Sequence, residues 1–158
     1  MNFKPLNSKE KENVLKLIKK QFSIEELHLD YIFFSNEDHK IFIINKDISK
    51  INLSNLRINN IGLYFGKIED DGFRLSIEGS QIIGSLALNN ITEIDDIDTK
   101  KWFLGEDIVT KVDNVPGYVI LRNKNDFLGC GKIKNNKIIN YIDKGRRIRT
   151  SDILYLNK

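Results

Sequence analysis

"FLGCGKIKNNKIINYIDKGRRIRT", residues 127–150, sets seven Lys or Arg residues, three glycines and a single acid among short apolar pairs. Short β-branched and aromatic runs broken by Gly or Asn-Asn read as short strands joined by tight turns. Gly129 and Gly131 flank Cys130 inside one such run. Glycine weakens a strand interior, so its presence there marks a bulge or the close approach of another backbone. Two readings follow: a tight corner against the core, or a bare strand on which a phosphate backbone can lie flat.

Working outward, "GYVILRN" precedes this stretch, and within and after it stand "DFLGCGKIK", "KIINYI", "RRIRT" and "DILYL". Five strand-like runs at close spacing predict a small, partly closed β-barrel. Lys132 and Lys134 share one strand face by period two, and Lys137 follows just after. In "DKGRRIRT", alternation puts Arg147 and Arg149 on one face and Ile148 in the core, with Arg146 in the turn at Gly145.

The overall charge of +3 hides an asymmetry. Residues 1–90 carry 12 bases against 12 acids, residues 91–110 carry 2 against 6, and residues 111–158 carry 11 against 4, an excess of +7. A basic block of this kind attracts a polyanion, although a solvated face has the same count. The acidic stretch "NNITEIDDIDTK" is read as a linker, with a domain boundary near residue 92.

The first 92 residues read as mixed α and β. Asn7 with Glu10 three positions on predicts a capped helix, and Val14, Leu15, Leu17, Ile18 and Phe22 give it an apolar face opposite Lys16, Lys19 and Lys20. "LDYIFFS" and "KIFIINK" around "NEDH" predict a hairpin, and "IGLYFGKI" and "GFRLSI" a second one turning at Asp71-Gly72. "EGSQIIGSLAL" has helical spacing interrupted by Gly79 and Gly84. The fold class is therefore α+β.

Cys130 is the only cysteine, and His28 and His39 are too scattered to join it in a metal site. Glu69, Asp70 and Asp71, or Asp95, Asp96 and Asp98, lie in expected turns or linkers and bring no nucleophile or oxyanion donors with them. No apolar run approaches the ~20 residues of a membrane span, and the start lacks a signal peptide's apolar core. The expectation is a soluble, cytoplasmic protein with no catalytic residues, metal, cofactor or membrane partner.

"WFLGEDI" followed by "GYVILRNKNDFLGCGKIKNNKIINYIDKGRRIR" resembles the C-terminal PUA-like RNA-binding module of ribosomal RNA cytosine-5 methyltransferases of the Nol/Nop/Sun (RsmF) type. The family's L-x-G-E segment corresponds to Phe103, Leu104, Gly105 and Glu106, and its G-[YW]-V strand to Gly117, Tyr118 and Val119. Gly129, Gly131 and Lys132 match G-x-G-K, and Asn140, Lys144, Gly145 and Arg147 match the closing motif. The likeness covers roughly residues 61–150, with Asp143 in place of a usual proline and no histidine after Ser76. The methyltransferase domain's glycine-rich cofactor loop and paired cysteines have no counterpart, so the resemblance implies the RNA-binding end of such an enzyme, standing alone.

"KPLNSKEKENV", "LYFGKIEDDGFRL" and "FLGCGKI" are also similar to ribosome-biogenesis proteins of the Nip-seven group, which pair a pre-PUA domain with a PUA domain. Both resemblances imply an N-terminal pre-PUA-like domain over residues 1–92 and a PUA-like barrel over 93–158. They imply binding to structured RNA, ribosomal or transfer, with an RNA methyltransferase or ribosome assembly factors as partners. The cations expected to meet RNA are Lys132, Lys134, Lys137, Lys144, Arg146, Arg147 and Arg149, with Gly129, Gly131 and Gly145 shaping that face. Most aromatics belong to the core; Tyr118 and Tyr141 are the ones expected to stack on a base.

Overall fold

The computed structural model describes residues 2–52, 58–110 and 117–152. The N-terminal half forms an antiparallel sheet in the order β1 (Lys4–Pro5), β2 (Tyr31–Ser35), β3 (Lys40–Asn45), β4 (Leu63–Glu69) and β5 (Gly72–Leu75). Helix α1 (Ser8–Phe22) starts with the expected capping box, since Asn7 accepts from the Glu10 N–H at 2.9 Å and Glu10 accepts from the Asn7 N–H at 2.8 Å. Reciprocal bonds of this kind satisfy donors that the first helical turn leaves open. Val14, Ile18 and Phe22, four residues apart, line the buried face.

Both hairpins form, with one shift at the second turn. Glu69 pairs with Gly72, so the two-residue loop is Asp70-Asp71 and Gly72 opens the strand. After β5 come α2 (Ile77–Ile83) and a single 3-10 turn over Gly84–Leu86. Ile83 is fully buried, whereas Leu86 and Leu88 are exposed, so the expected apolar stripe ends where the helix does.

The second sheet runs in the order β6-β8-β9-β10-β7: β6 (Ile91–Glu93), β7 (Ile108–Val109), β8 (Gly117–Asn123), β9 (Asp126–Lys134) and β10 (Lys137–Ile139). β6 pairs with β8 in parallel and the other pairs are antiparallel. The acidic stretch read as a linker is instead strand β6 followed by helix α3 (Asp96–Leu104). Its acids have structural positions. Asp95 caps α3 by accepting from the Asp98 N–H at 2.8 Å, Asp96 and Asp98 lie in the first turn where a helix favours negative charge, and Glu93 binds Arg122 at 2.7 Å.

"RRIRT" is not a strand. Residues Lys144–Arg146 form a 3-10 turn capped by Asp143, the chain then runs extended, and Ile148 is 38% exposed rather than core. The strand expected over "KIINYI" covers only Lys137–Ile139, and "DILYL" lies outside the described residues except for Asp152.

β8 ties the two sheets together because it is buried on both faces. Tyr118 and Ile120 join the core built by Phe22, Phe33, Phe65 and Phe73, while Val119 and Leu121 join a second core around Trp102, Ile108 and Ile138. On β9, Leu128 enters the second core and Cys130 the first, although strict alternation would put both on one face. The pairing explains the switch: Leu121 faces Gly129 and Arg122 faces Phe127, so Leu128 is the extra residue of a bulge. Gly129 supplies the required positive φ of 124°.

Candidate functional site

Gly129 and Gly131 of the opening stretch face inward. A side chain on Gly131 would meet Ile138 Cγ2 at 2.4 Å and the Ile139 carbonyl oxygen at 2.8 Å, and Gly129 lies against Ile77 and Trp102. Their missing side chains admit neighbouring protein, so the space expected for a phosphate backbone beside Gly131 is filled. Gly145 is exposed in the 3-10 turn and donates its N–H to Asp143 at 2.9 Å.

The seven cations divide by what they touch. Lys132, on β9, pairs with Asp71 in the β4–β5 turn and lies 5.5 Å from the centre of the Tyr118 ring. Its hydrogen bond holds the Asp71 carboxyl below the usual range. Arg146 makes a two-pronged contact with Glu78 of α2, one prong at 2.8 Å, and this bond likewise holds Glu78 below its ordinary value. The Arg147 Nε–H donates to the Ile142 carbonyl at 3.0 Å, and its side chain packs over Gly105 at the end of α3. The next residue, Ile148, donates its N–H to the Phe103 carbonyl at 2.9 Å, fixing the strap to the helix.

The other four have no side-chain partner among the described residues. Lys134 and Lys137 stand directly opposite each other across β9 and β10, both exposed, beside the turn Asn135-Asn136. Both turn residues have positive φ, 51° and 57°, the geometry of a tight hairpin turn. Like charges placed opposite on a sheet repel. Lys144 and Arg149 are exposed on the segment after β10. The structure thus brings Lys134 and Lys137 together and puts Lys144, Arg146, Arg147 and Arg149 on a separate strap.

Of the two tyrosines expected to stack, Tyr118 is 4% exposed and belongs to the core, whereas Tyr141 is 39% exposed. Tyr141 opens onto a feature that sequence reasoning missed, a pocket of about 260 Å³ lined in part by Lys40, Tyr64, Arg74, Tyr141 and Arg146. The Arg74 guanidinium lies 4.4 Å from the centre of the Tyr141 ring and is tethered to Glu69 at 2.8 Å. Burial pushes Glu69 upward, but the hydrogen bond and charge of Arg74, with Lys67, outweigh it and leave the carboxyl below its ordinary value. One sequence signal pointed here: Arg74 is the only cation in the strand "GFRL", between buried Phe73 and Leu75.

Burial pushes the Cys130 thiol up to about 12, so it stays protonated at neutral pH. Among the described residues no three His, Cys, Asp or Glu side chains group closely enough to hold a metal ion, and no helix is long and apolar enough to cross a membrane.

The second sheet, built on β6 and β8 with the α3 helix ending at "FLGE" and the bulged "FLGCGK" strand, is the part of the chain that a known family matches. Residues 89–148 match the family described as the methyltransferase RsmF PUA domain. An 88-residue segment is 27% identical to the ribosomal RNA small subunit methyltransferase F of Vibrio cholerae serotype O1 (strain M66-2), covering 56% of this chain and 19% of that protein. A longer alignment, 142 residues at 24% identity, covers 90% of this chain and 29% of the enzyme of the same name from Aeromonas salmonicida (strain A449). The chain therefore carries a PUA-like domain resembling the C-terminal region of RsmF-type methyltransferases. It spans less than a third of the length of these relatives, and the family match covers the PUA domain, not a catalytic one.

Proposed function

We propose that this chain is a non-catalytic RNA-binding protein acting in ribosomal RNA modification or ribosome assembly, with an N-terminal pre-PUA-like unit followed by a PUA-like unit that starts just before β6 rather than within it. The observation that carries the reading is the Lys134–Lys137 pair: two exposed like charges held opposite each other by a tight turn, with no acid bound to either among the described residues. Such a pair repels in the free protein and is relieved by a phosphate between the two ammonium groups. Lys144 and Arg149 add charge of the same kind from the strap. Lys132, Arg146 and Arg147 hold the surrounding frame and supply a background field.

Structured ribosomal or transfer RNA is the preferred ligand, because shape and phosphate contacts suit a cationic protein surface. Titration of the protein against transfer RNA, ribosomal RNA fragments and duplex DNA tests this. Tighter binding to the structured RNAs is expected; equal binding to all three, or none at moderate salt, overturns it. The likeness to named ribosomal RNA methyltransferases favours a methyltransferase over a ribosome assembly factor as the protein partner, and affinity capture from the source cell separates the two.

A further inference from the structure

The pocket between the sheets has a chemistry of its own, separate from the lysine hairpin. Its walls come from both halves of the fold: Lys40 and Arg74 from the first sheet, Tyr141 and Arg146 from the segment after β10. Both guanidiniums are positioned by acids. Arg74 places Nε and Nη2 on a single oxygen of Glu69, and Arg146 gives both of its terminal nitrogens to Glu78. Each therefore keeps a donor without a described partner, Nη1 on Arg74 and Nε on Arg146. The Lys40 ammonium has no partner among the described residues and is half-buried at the pocket wall. The Tyr64 hydroxyl also has no described partner, although its ring is packed against Phe42, and burial raises its pKa so that it remains a donor.

The pocket thus presents several donors beside an aromatic ring whose other contacts leave it 39% exposed. Donors that include an ammonium select an anion, and a ring backed by a guanidinium selects a flat π-face. A volume of about 260 Å³ is below the ~300 Å³ of a site that encloses a drug-sized ligand, so it takes a base and a phosphate only with the ribose that joins them left at the mouth. A bare phosphate would leave the ring unused, and a neutral aromatic would leave Lys40 unpaired. We infer that this pocket binds a single nucleotide, its base against Tyr141 and its phosphate between Lys40 and Arg74. The nucleotide is either one residue turned out of a bound RNA or a free mononucleotide. Only the first source rests on the RNA-binding reading.

Calorimetric titration of the full chain with AMP and UMP, beside adenosine and inorganic phosphate, tests the pocket without RNA. Saturable binding of a mononucleotide, at least about tenfold tighter than either fragment, is expected from joining a stacked ring to one charge-assisted contact. Lys40→Ala should weaken it about tenfold, the loss of one such contact, and Tyr141→Leu should weaken it by a similar factor. Lys40 has no partner among the described residues to orphan, so an unchanged thermal midpoint in that variant confirms an intact fold. A structured RNA titrated in parallel distinguishes the sources: a loss of RNA affinity in both pocket variants assigns the nucleotide to RNA, and unchanged RNA affinity assigns it to the free mononucleotide. No saturable binding of AMP or UMP, or binding that both variants leave unchanged, overturns the inference even where the chain binds RNA. Mononucleotide binding by a chain that fails to bind RNA sustains the pocket and defeats the RNA reading.

Discussion

Two cationic regions that look alike in sequence differ in what surrounds them. At the seam between the sheets, Lys132, Arg146 and Arg74 are each answered by an acid, and Arg147 by a carbonyl. At the β9–β10 hairpin, Lys134 and Lys137 face each other and bind no acid among the described residues. A cation with a partner has already given up part of its hydration and its freedom, so it adds less new binding than one without. A cation facing another cation is held at a cost that a phosphate removes. Counting charges misses this difference because the partners lie far away in the chain: Asp71 is 61 positions from Lys132, and Glu78 is 68 from Arg146.

The largest expected effect lies on the structural side of the comparison. Trp102 is fully buried and donates its ring N–H to the Leu128 carbonyl at 2.9 Å, beside the bulge that turns Cys130 and Leu128 to opposite cores. Trp102→Ala should cost about 3–5 kcal/mol in chemical denaturation, from the cavity and the orphaned carbonyl. A loss under about 1 kcal/mol, the scale of an exposed site, would show that the second core does not depend on this ring.

Arg147 sharpens the contrast within the basic strap. Arg147→Ala should destabilise the protein by about 1–3 kcal/mol, because the Ile142 carbonyl loses a charged donor. The salt dependence of RNA binding should hardly change. A flattened salt slope with an unchanged denaturation midpoint would move Arg147 to the binding side.

The smallest effect is acid sensitivity at the seam. The folded-state pKa of Asp71 is depressed by Lys132, so the pair's contribution is present above the unfolded carboxyl value, about 3.9, and is lost as pH falls through the lower folded value. Asp71→Asn should narrow the stability difference between pH 6 and pH 3 measured by urea midpoints. An identical difference in both proteins would mean that the pair contributes nothing to the fold, as exposure and screening can bring about.

Much of the frame was legible in the sequence where local chemistry decides structure. Asn7 with Glu10 specified the capping box, the "NEDH" segment specified a hairpin turn, and the glycines around Cys130 pointed to a bulge or a close backbone approach, of which Gly129 marks the first and Gly131 the second. Asp95, Asp96 and Asp98 misled because acids that cap a helix have the same composition as acids in a linker. "RRIRT" misled because one isoleucine among arginines fits an alternating strand, yet Ile148 is set by the bond from its N–H to Phe103, which no local pattern reveals. The pocket was invisible for a similar reason, since Lys40, Arg74 and Tyr141 meet only once the two sheets pack. Tyr118 was misjudged because a tyrosine beside cations looks the same whether its ring is in the core or open to solvent.

The central claim is that Lys134 and Lys137 of the hairpin, rather than Lys132, Arg146 and Arg147, set the salt dependence of RNA binding. The most direct measurement is the salt dependence of affinity for a structured RNA, compared between the parent chain and the Lys134→Ala, Lys137→Ala double variant. With two phosphate contacts removed, the slope of log affinity against log salt should flatten by about 1.4–1.8, at 0.7–0.9 per contact, while the denaturation midpoint stays the same or rises. An unchanged slope in that variant, with binding abolished instead by replacing Lys16, Lys19 and Lys20 on α1 with alanine, would contradict the account and place the RNA surface in the N-terminal half.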